Sequence, residues 1–530
     1  MKDLVEVVIG LLAAVAGLAL LGRRLPVAYP ILLVVGGLLL GLVPGLPRIR
    51  LDPNLVFLVF LPPLLYPAAL FTPWRDFRNN LRPISLLAVG LVLFTTIAVG
   101  LLAHHFIKDL PLAAGFVLGA IISPPDAVAA GAIAQRLGVP RRIVIILEGE
   151  SLVNDATALV AFRFAVAAVV TGSFALGTAT IQFFIVGLGG ILVGLAAGFV
   201  TAWIQKPIDD PPIEITISLL TPFAAYLPAE HLGVSGVLAV VTTGLYHGWR
   251  LPELTSSRTR LRAGPVWEMV EFILDGFIFI LIGLQLPEVL RVLSGRSISQ
   301  LLRYAAVISL TVILVRILWV FPASYLPRFL FPSIRRKDPY PPWQQVAVVA
   351  WTGMRGGVSL AAALALPLVV QGGAPFPGRD LILFLTFVVI LVTLVAQGLS
   401  LPFVIRALGV KDDGAADKEE RAARLKANQA ALARLEELTA SPQSNKDTIR
   451  RLRDEYEDRV RQLTACQPED GHEGHGLFSS DYERLAKETL RVERNTILQL
   501  RNQRVINDEV LRHIQRDIDL AEARLQGDGH

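Results

Sequence analysis

Along the first 410 positions, apolar residues gather into long runs separated by short segments that collect proline, glycine and charge. A membrane-crossing helix needs roughly 20 mostly apolar residues. Thirteen runs meet that length: 4–22, 26–44, 54–71, 83–106, 111–134, 143–170, 178–205, 213–229, 233–249, 265–286, 301–325, 344–369 and 380–408. The run at 213–229 is short and is followed almost at once by the next. The first run also fits a cleaved signal sequence by length. Arg23 and Arg24 follow it, however, and no small-x-small cleavage site is evident, so it is read as a span.

Charge divides the chain in two. Residues 411–530 carry 46 charged side chains in 120 positions, whereas the preceding 410 carry only 49. Two parts of one chain therefore face two solvents, with the boundary near Lys411. The expectation is a transmembrane domain over 1–410 and a charged, helical cytoplasmic tail over 411–530. A soluble enzyme, a DNA-binding protein and a secreted domain are disfavoured. The basic excess lies wholly in the membrane part (+9), against −4 in the tail, so it argues for topology and not for a nucleic-acid partner. One cysteine, Cys466, rules out intramolecular disulfides.

Lys and Arg in alternate connecting segments number 18 on one side and 8 on the other. Cytoplasmic loops carry the excess. The N-terminus is thus expected outside and the tail inside, in a cell inner (plasma) membrane protein. The fold class expected is an all-α integral membrane protein of about 13 transmembrane helices.

Charged residues at membrane depth are costly and point to function. The densest group is in the sixth span, Glu148-Gly149-Glu150-Ser151-Leu152-Val153-Asn154-Asp155. Helical spacing sets Glu150 beside Asn154 and Ser151 beside Asp155, a polar stripe that cannot face lipid. Locking of helix packing by an arginine is the alternative role for its carboxylates. The fifth span is interrupted by Ser123-Pro124-Pro125-Asp126. Two prolines remove two backbone donors and free carbonyl oxygens, which is tolerated at this depth only inside protein or beside a water-filled cavity. Asp126 either joins those carbonyls in holding a partly dehydrated cation, or caps the following half-helix, or both.

The twelfth span is broken in a matching way by Gly353-Met354-Arg355-Gly356-Gly357. Arg355 needs an acidic partner, and Glu150 is the candidate. Interruptions at corresponding places in two halves are the signature of inverted-repeat transporters. Spans one to six and eight to thirteen would form six-helix repeats with two broken crossing helices. Arg163 and Arg316 are expected to snorkel or pair. Glu271 and Asp275, four apart on the tenth span, line the route or bind Arg316. A carboxylate in a partly dry site binds a proton or a small cation but not comfortably both, and Asp155 and Asp126, if they meet, titrate as a pair.

At these residues the sequence resembles the monovalent cation/proton antiporters, in the bacterial-type sodium/proton branch with an Asn-Asp motif. The stretches that carry the resemblance are Phe60 to Tyr66, Ser123 to Ala129, Glu148 to Ala158, Gly233 to Ala239 and Gly353 to Ser359. This chain has Pro125 where relatives usually have threonine, offering a carbonyl and no hydroxyl. The resemblance implies a homodimer with the first helices at its interface, a core moving against that interface, and electroneutral one-for-one exchange. By position it makes Asp155 the proton and cation carboxylate, with Asp126, Ser151 and the Pro125 carbonyl as further ligands of transported Na⁺. Asn154 organises the site, and Glu150 pairs with Arg355. Li⁺ or K⁺ are alternative ions, and no cofactor is implied.

Two other classes compete. Gly233-Val234-Ser235-Gly236 matches an intramembrane serine protease motif with His247 downstream, but residues 12 apart on one helix stand about 18 Å apart, too far for a nucleophile and its base. The Gly-x-Gly-Asp motif of intramembrane aspartyl proteases is absent. A cation channel would use the same polar residues, and proton coupling discriminates it. In the tail, 411–438, 446–465 and 478–526 are expected helices that pack together or on a regulator. Cys466, His472 and His475 lack a fourth metal ligand.

Overall fold

The computed structural model describes residues 2–22, 29–43, 56–172, 176–292, 297–371, 373–412, 414–439 and 446–465, with short stretches between 489 and 521. The chain forms two compact units, Met1–Asp413 and Gly414–His530. Among the described residues it is helical, with a single isolated bridge between Val369 and Pro375 and no strand.

The first unit begins with α1 (Lys2–Gly22), α2 (Tyr29–Gly41) and α3 (Leu61–Leu70). Next come α4 (Leu81–Phe106), then α5 (Leu112–Ile122) and α6 (Ala127–Arg136), which share one interrupted line. They are followed by α7 (Arg141–Thr171), α8 (Leu176–Gln205), α9 (Pro211–His231) and α10 (Gly236–Leu254). After α11 (Ser257–Val292) and α12 (Ile298–Leu330), a second interrupted line is formed by α13 (Trp343–Trp351) and α14 (Gly357–Leu364), and α15 (Arg379–Ala407) closes the unit. By length and composition, six described helical stretches suffice to cross a membrane, and Val8–Gly22, Tyr29–Gly41 and Phe57–Leu70 are shorter apolar helices.

The helices depart from the expected runs where local chemistry intervenes. The run at 213–229 is the longer helix α9, started by Pro211 and Pro212 in its first turn with Asp210 as its cap. The run at 344–369 loses its last turn, because α14 stops at Leu364 ahead of Pro367, and Val369 beyond it pairs in an antiparallel bridge with Pro375. The tenth run extends to both sides as α11.

Lipid tails give apolar helices no net hydrophobic reason to associate, so small residues that admit close backbone packing decide which helices touch. A Cβ on Gly37 of α2 would strike the Ile280 carbonyl of α11, and one on Gly283 of α11 would strike the Val34 carbonyl of α2. The same close approach joins α5 to α4 through Gly115 and Gly119, and α10 to α3 through Gly244 and Gly248. By contrast α8 leaves a broad apolar face uncovered, including Phe184, Leu188, Leu192, Phe199 and Trp203.

In the second unit, α16 (Ala415–Thr439) and α17 (Lys446–Ala465) lie side by side, tied by Arg453 and Glu436 at 2.9 Å. Most of the expected third tail helix, with Cys466, His472 and His475, lies outside the described residues.

Candidate functional site

The two interrupted helices meet at their breaks. Pro124 and Pro125 have no N–H to give, and the chain between α5 and α6 leaves its helical path. The Asp126 N–H, no longer spent within its own helix, donates to the Met354 carbonyl of the other break at 2.7 Å. In return, Arg355 Nε donates to the Ile122 carbonyl at 3.0 Å, and its Nη1 donates to the Gly353 carbonyl. Each break thus supplies a donor for a carbonyl the other has freed. Neighbours add two more bonds: Gln397 Nε2 donates to the Trp351 carbonyl at 2.9 Å, and the Arg355 N–H donates to Thr393 Oγ1 at 3.2 Å. Both come from a π-turn, Thr393–Gln397, within α15. Such turns recur at functional sites.

The carboxylates gather beside this crossing. Asp126 caps α6 by accepting from the Val128 N–H at 2.9 Å, the bland role open to it, while remaining close enough to Asp155 for electrostatic interaction. Asp155 is 7% exposed and makes no hydrogen bond or ion pair among the described residues. Asn154 Nδ2 donates to the Pro125 carbonyl at 2.7 Å, and its buried Oδ1 has no partner among the described residues. A carbonyl oxygen carries two lone pairs, so Pro125 keeps one. Ser151 Oγ accepts from the Ala127 N–H at 3.3 Å. The sequence-predicted residues Asp126, Pro125, Ser151, Asn154 and Asp155 therefore belong to one neighbourhood, fixed by contacts between α7 and the break before α6.

The expected pair between Glu150 and Arg355 is not formed. Arg316 of α12 takes the place, donating through Nη1 and Nη2 to the two Glu150 oxygens at 2.6 and 2.9 Å, with both side chains buried. Its Nε donates to the Val349 carbonyl at 3.2 Å. The reason for the correction is local: the carbonyls freed around the two breaks claim the Arg355 guanidinium. Gly353 makes room for both arginines, since a Cβ there would lie 2.6 Å from Arg316 Cδ and 2.9 Å from Arg355 Nη1. Neither Glu271 nor Asp275 binds Arg316. Asp275 instead accepts a long, 3.4 Å hydrogen bond from Tyr29 of α2, and it interacts electrostatically with Asp126.

Arg163 pairs with Glu230, its Nη2 donating to both carboxylate oxygens at 3.0 and 2.8 Å. Sequence reasoning missed Tyr29, Thr393 and Gln397 altogether. Arg316 carried a signal, being an arginine far inside an apolar run. Thr393 and Gln397 carried almost none, because uncharged polar residues are common in spans.

The protease arrangement is not formed. Ser235 Oγ caps α10 at the Leu238 N–H, while His247 is held by Tyr66 at 2.8 Å and Thr201 at 3.0 Å. Among the described residues, no three His, Cys, Asp or Glu side chains converge as ligands of a resident metal.

Residues 10–407 match the family model of the sodium/hydrogen exchanger, transmembrane. An uncharacterized Na(+)/H(+) exchanger of Mycobacterium tuberculosis is 38% identical over 527 residues, covering 98% of this chain and 96% of the relative. A sodium, potassium, lithium and rubidium/H(+) antiporter of Bacillus subtilis is 37% identical over 414 residues, 76% of this chain and 61% of that one. The Na(+)/H(+) antiporter ApNhaP of Aphanothece halophytica is 32% identical over 490 residues, 90% of this chain and 88% of the relative. In fold, the chain resembles the sodium proton antiporter MjNhaP1 from Methanocaldococcus jannaschii, with a TM-score of 0.56 at 19% identity over 77% of this chain and 99% of that one.

Proposed function

Because this chain belongs to the sodium/hydrogen exchanger family, we propose that it exchanges protons for monovalent cations across the plasma membrane by alternating access at Asp155. Sodium is the first candidate, with lithium and potassium as alternatives that the name of the Bacillus subtilis relative includes. The observation that carries the reading is the state of Asp155: a buried carboxylate beside Asp126, at the crossing of two broken helices, with no cation supplied by the protein. An ionised carboxylate is costly to bury uncompensated. Asp155 therefore holds a proton or a metal cation whenever the site closes, and the two compete for one place.

The cation's ligands would be Asp155, Asp126, Ser151, the orphaned Asn154 oxygen and the spare lone pair of Pro125. Hard oxygen donors of this kind suit an alkali ion as transported substrate. Glu150 and Arg316 balance each other and leave the transport charge to the aspartates. One proton for one cation follows if a single net charge is exchanged per cycle, which makes the exchange electroneutral. The architecture proposed for this exchange is thirteen spans, the fifth and twelfth interrupted, in two inverted repeats, a reading supported by the breaks between α5 and α6 and between α13 and α14. The excess of basic loop residues favours an outside N-terminus and a cytoplasmic, regulatory tail, and a homodimer is the proposed assembly.

The test is dissipation of an imposed proton gradient by the purified protein in liposomes, with Na⁺, Li⁺ or K⁺ added in turn. The expected result is saturable dissipation by at least one ion, abolished by Asp155→Ala. Ion flux without proton movement would favour a channel, and no response in folded protein from acid to alkaline pH would overturn the proposal.

A further inference from the structure

Thirteen residues before Asp155 on α7, about 20 Å along the helix, Arg142 is one of three arginines that converge on one acid. Asp338, in the segment between α12 and α13, accepts from Arg82 of α4 at 2.5 Å, from Arg142 of α7 at 2.8 Å and from Arg328 of α12 at 2.7 Å. Three guanidinium groups against one carboxylate leave two positive charges without an anion, and Arg335, Arg336 and Lys337 stand exposed immediately before Asp338. Arg328 is spent on the protein, its Nε on the Asp338 carbonyl and its Nη1 on Ser324. Arg82 and Arg142 are not. Of the five N–H groups each guanidinium carries, Arg82 uses one on Asp338, and Arg142 uses two, on Asp338 and on Asn80 at 3.1 Å. Both are partly exposed, Arg82 at 28% and Arg142 at 40%.

A small, partly open cleft lies beside this cluster, with Arg142 and Arg328 among its lining residues. Its other walls include Leu87, Ile143, Ile146, Val320 and Val346. Aromatic residues mark the level of the cluster as a membrane surface: Phe321, Tyr325 and Tyr340 stack in sequence, and Tyr340 and Trp343 are exposed. Tyr and Trp collect at the height of lipid headgroups. Uncompensated guanidinium donors with an apolar cleft alongside, at headgroup level, are the complement of one class of molecule.

We infer that Arg82, Arg142 and the adjoining cleft form a binding site for an anionic phospholipid, its phosphate taken by the two arginines and part of an acyl chain by the cleft. Guanidinium groups suit phosphate because their planar fork of donors matches its oxygens. The cleft also reaches Val349, whose carbonyl holds Arg316, the partner of Glu150. Lipid in the cleft therefore packs against the helices that carry the ion pair behind the aspartates.

The test is lipid retention by the full chain, measured by native mass spectrometry after detergent exchange. Phosphatidylglycerol, phosphatidylcholine with the same chains, and inorganic phosphate without lipid are the three probes. Phosphatidylglycerol is expected to be retained over phosphatidylcholine by at least about tenfold, the ratio that one charge-assisted contact supplies. Arg82→Gln with Arg142→Gln should abolish the preference, and the corresponding lysine pair should keep part of it. Ala323→Phe, filling the cleft, should reduce phosphatidylglycerol retention with the arginines intact, which decides the matter even if the glutamine pair fails to fold. Equal retention of both lipids, an unchanged preference in the glutamine pair, undiminished retention in Ala323→Phe, or displacement of the lipid by inorganic phosphate would each overturn the inference. Because the readout is binding, it is independent of whether the protein exchanges cations.

Discussion

Glu150 and Arg316 lie 166 positions apart in the chain and meet through two hydrogen bonds of 2.6 and 2.9 Å, with both side chains at most 1% exposed. The pair joins α7, which carries Asp155, to α12, and through the Val349 carbonyl it also reaches the end of α13. Breaking a buried pair by removing one partner leaves an uncompensated charge, at a cost of about 3–5 kcal/mol. Arg316→Ala should therefore lower stability by that order, and Arg316→Met combined with Glu150→Gln should recover most of it. Unfolding of the purified protein measures both, and full stability in Arg316→Ala would refute the strut.

Asp155 behaves differently because it has no partner to lose. Asp155→Asn removes a buried charge and keeps the shape. The variant is expected to be folded at least as stably as the parent at neutral and alkaline pH, while cation-driven dissipation of a proton gradient disappears. A clear loss of stability would mean that Asp155 supports the fold and would weaken its role as carrier.

Arg355 serves the carbonyls of two broken helices. Lysine brings one ammonium point in place of a planar fork, so Arg355→Lys leaves at least one buried carbonyl unpaired. The expected cost is about 1–3 kcal/mol, with slower exchange from a loosened crossing. Comparing thermal midpoints and exchange rates checks it, and parent-like values of both would show that the crossing does not need the fork.

Gly356 tests how closely the second break approaches the aspartates. A Cβ at this position would overlap the Asp126 carboxylate. Gly356→Ala should displace that carboxylate and slow exchange by about a hundredfold, the effect of a misplaced reacting group. Gly131→Ala, where a Cβ meets nothing, is the control.

Competition for one site has a pH signature. If proton and sodium exclude each other at the aspartates, the apparent affinity for sodium should weaken about tenfold per pH unit once the proton form dominates. Measuring half-saturating sodium across a pH series tests this. A sodium affinity independent of pH would indicate separate sites.

What the sequence determined by itself was set by solvent and by local backbone chemistry. The long apolar runs, the change of charge density near Lys411 and the Pro124-Pro125 and Gly353–Gly357 interruptions all follow from bilayer thickness, from the cost of charge in lipid and from which residues break a helix. The grouping of Ser151, Asn154 and Asp155 was legible for the same reason, because helical spacing is a local property. Partners across the chain were not. Whether Glu150 met Arg316 or Arg355 depended on which carbonyls the two breaks released and on which arginine those carbonyls claimed. Tyr29, Thr393 and Gln397 acquired their places near the crossing only when α2 and α15 packed, through contacts such as the approach of Gly37 to the Ile280 carbonyl. Periodicity records which face of a helix avoids lipid. Tertiary packing alone decides what that face touches.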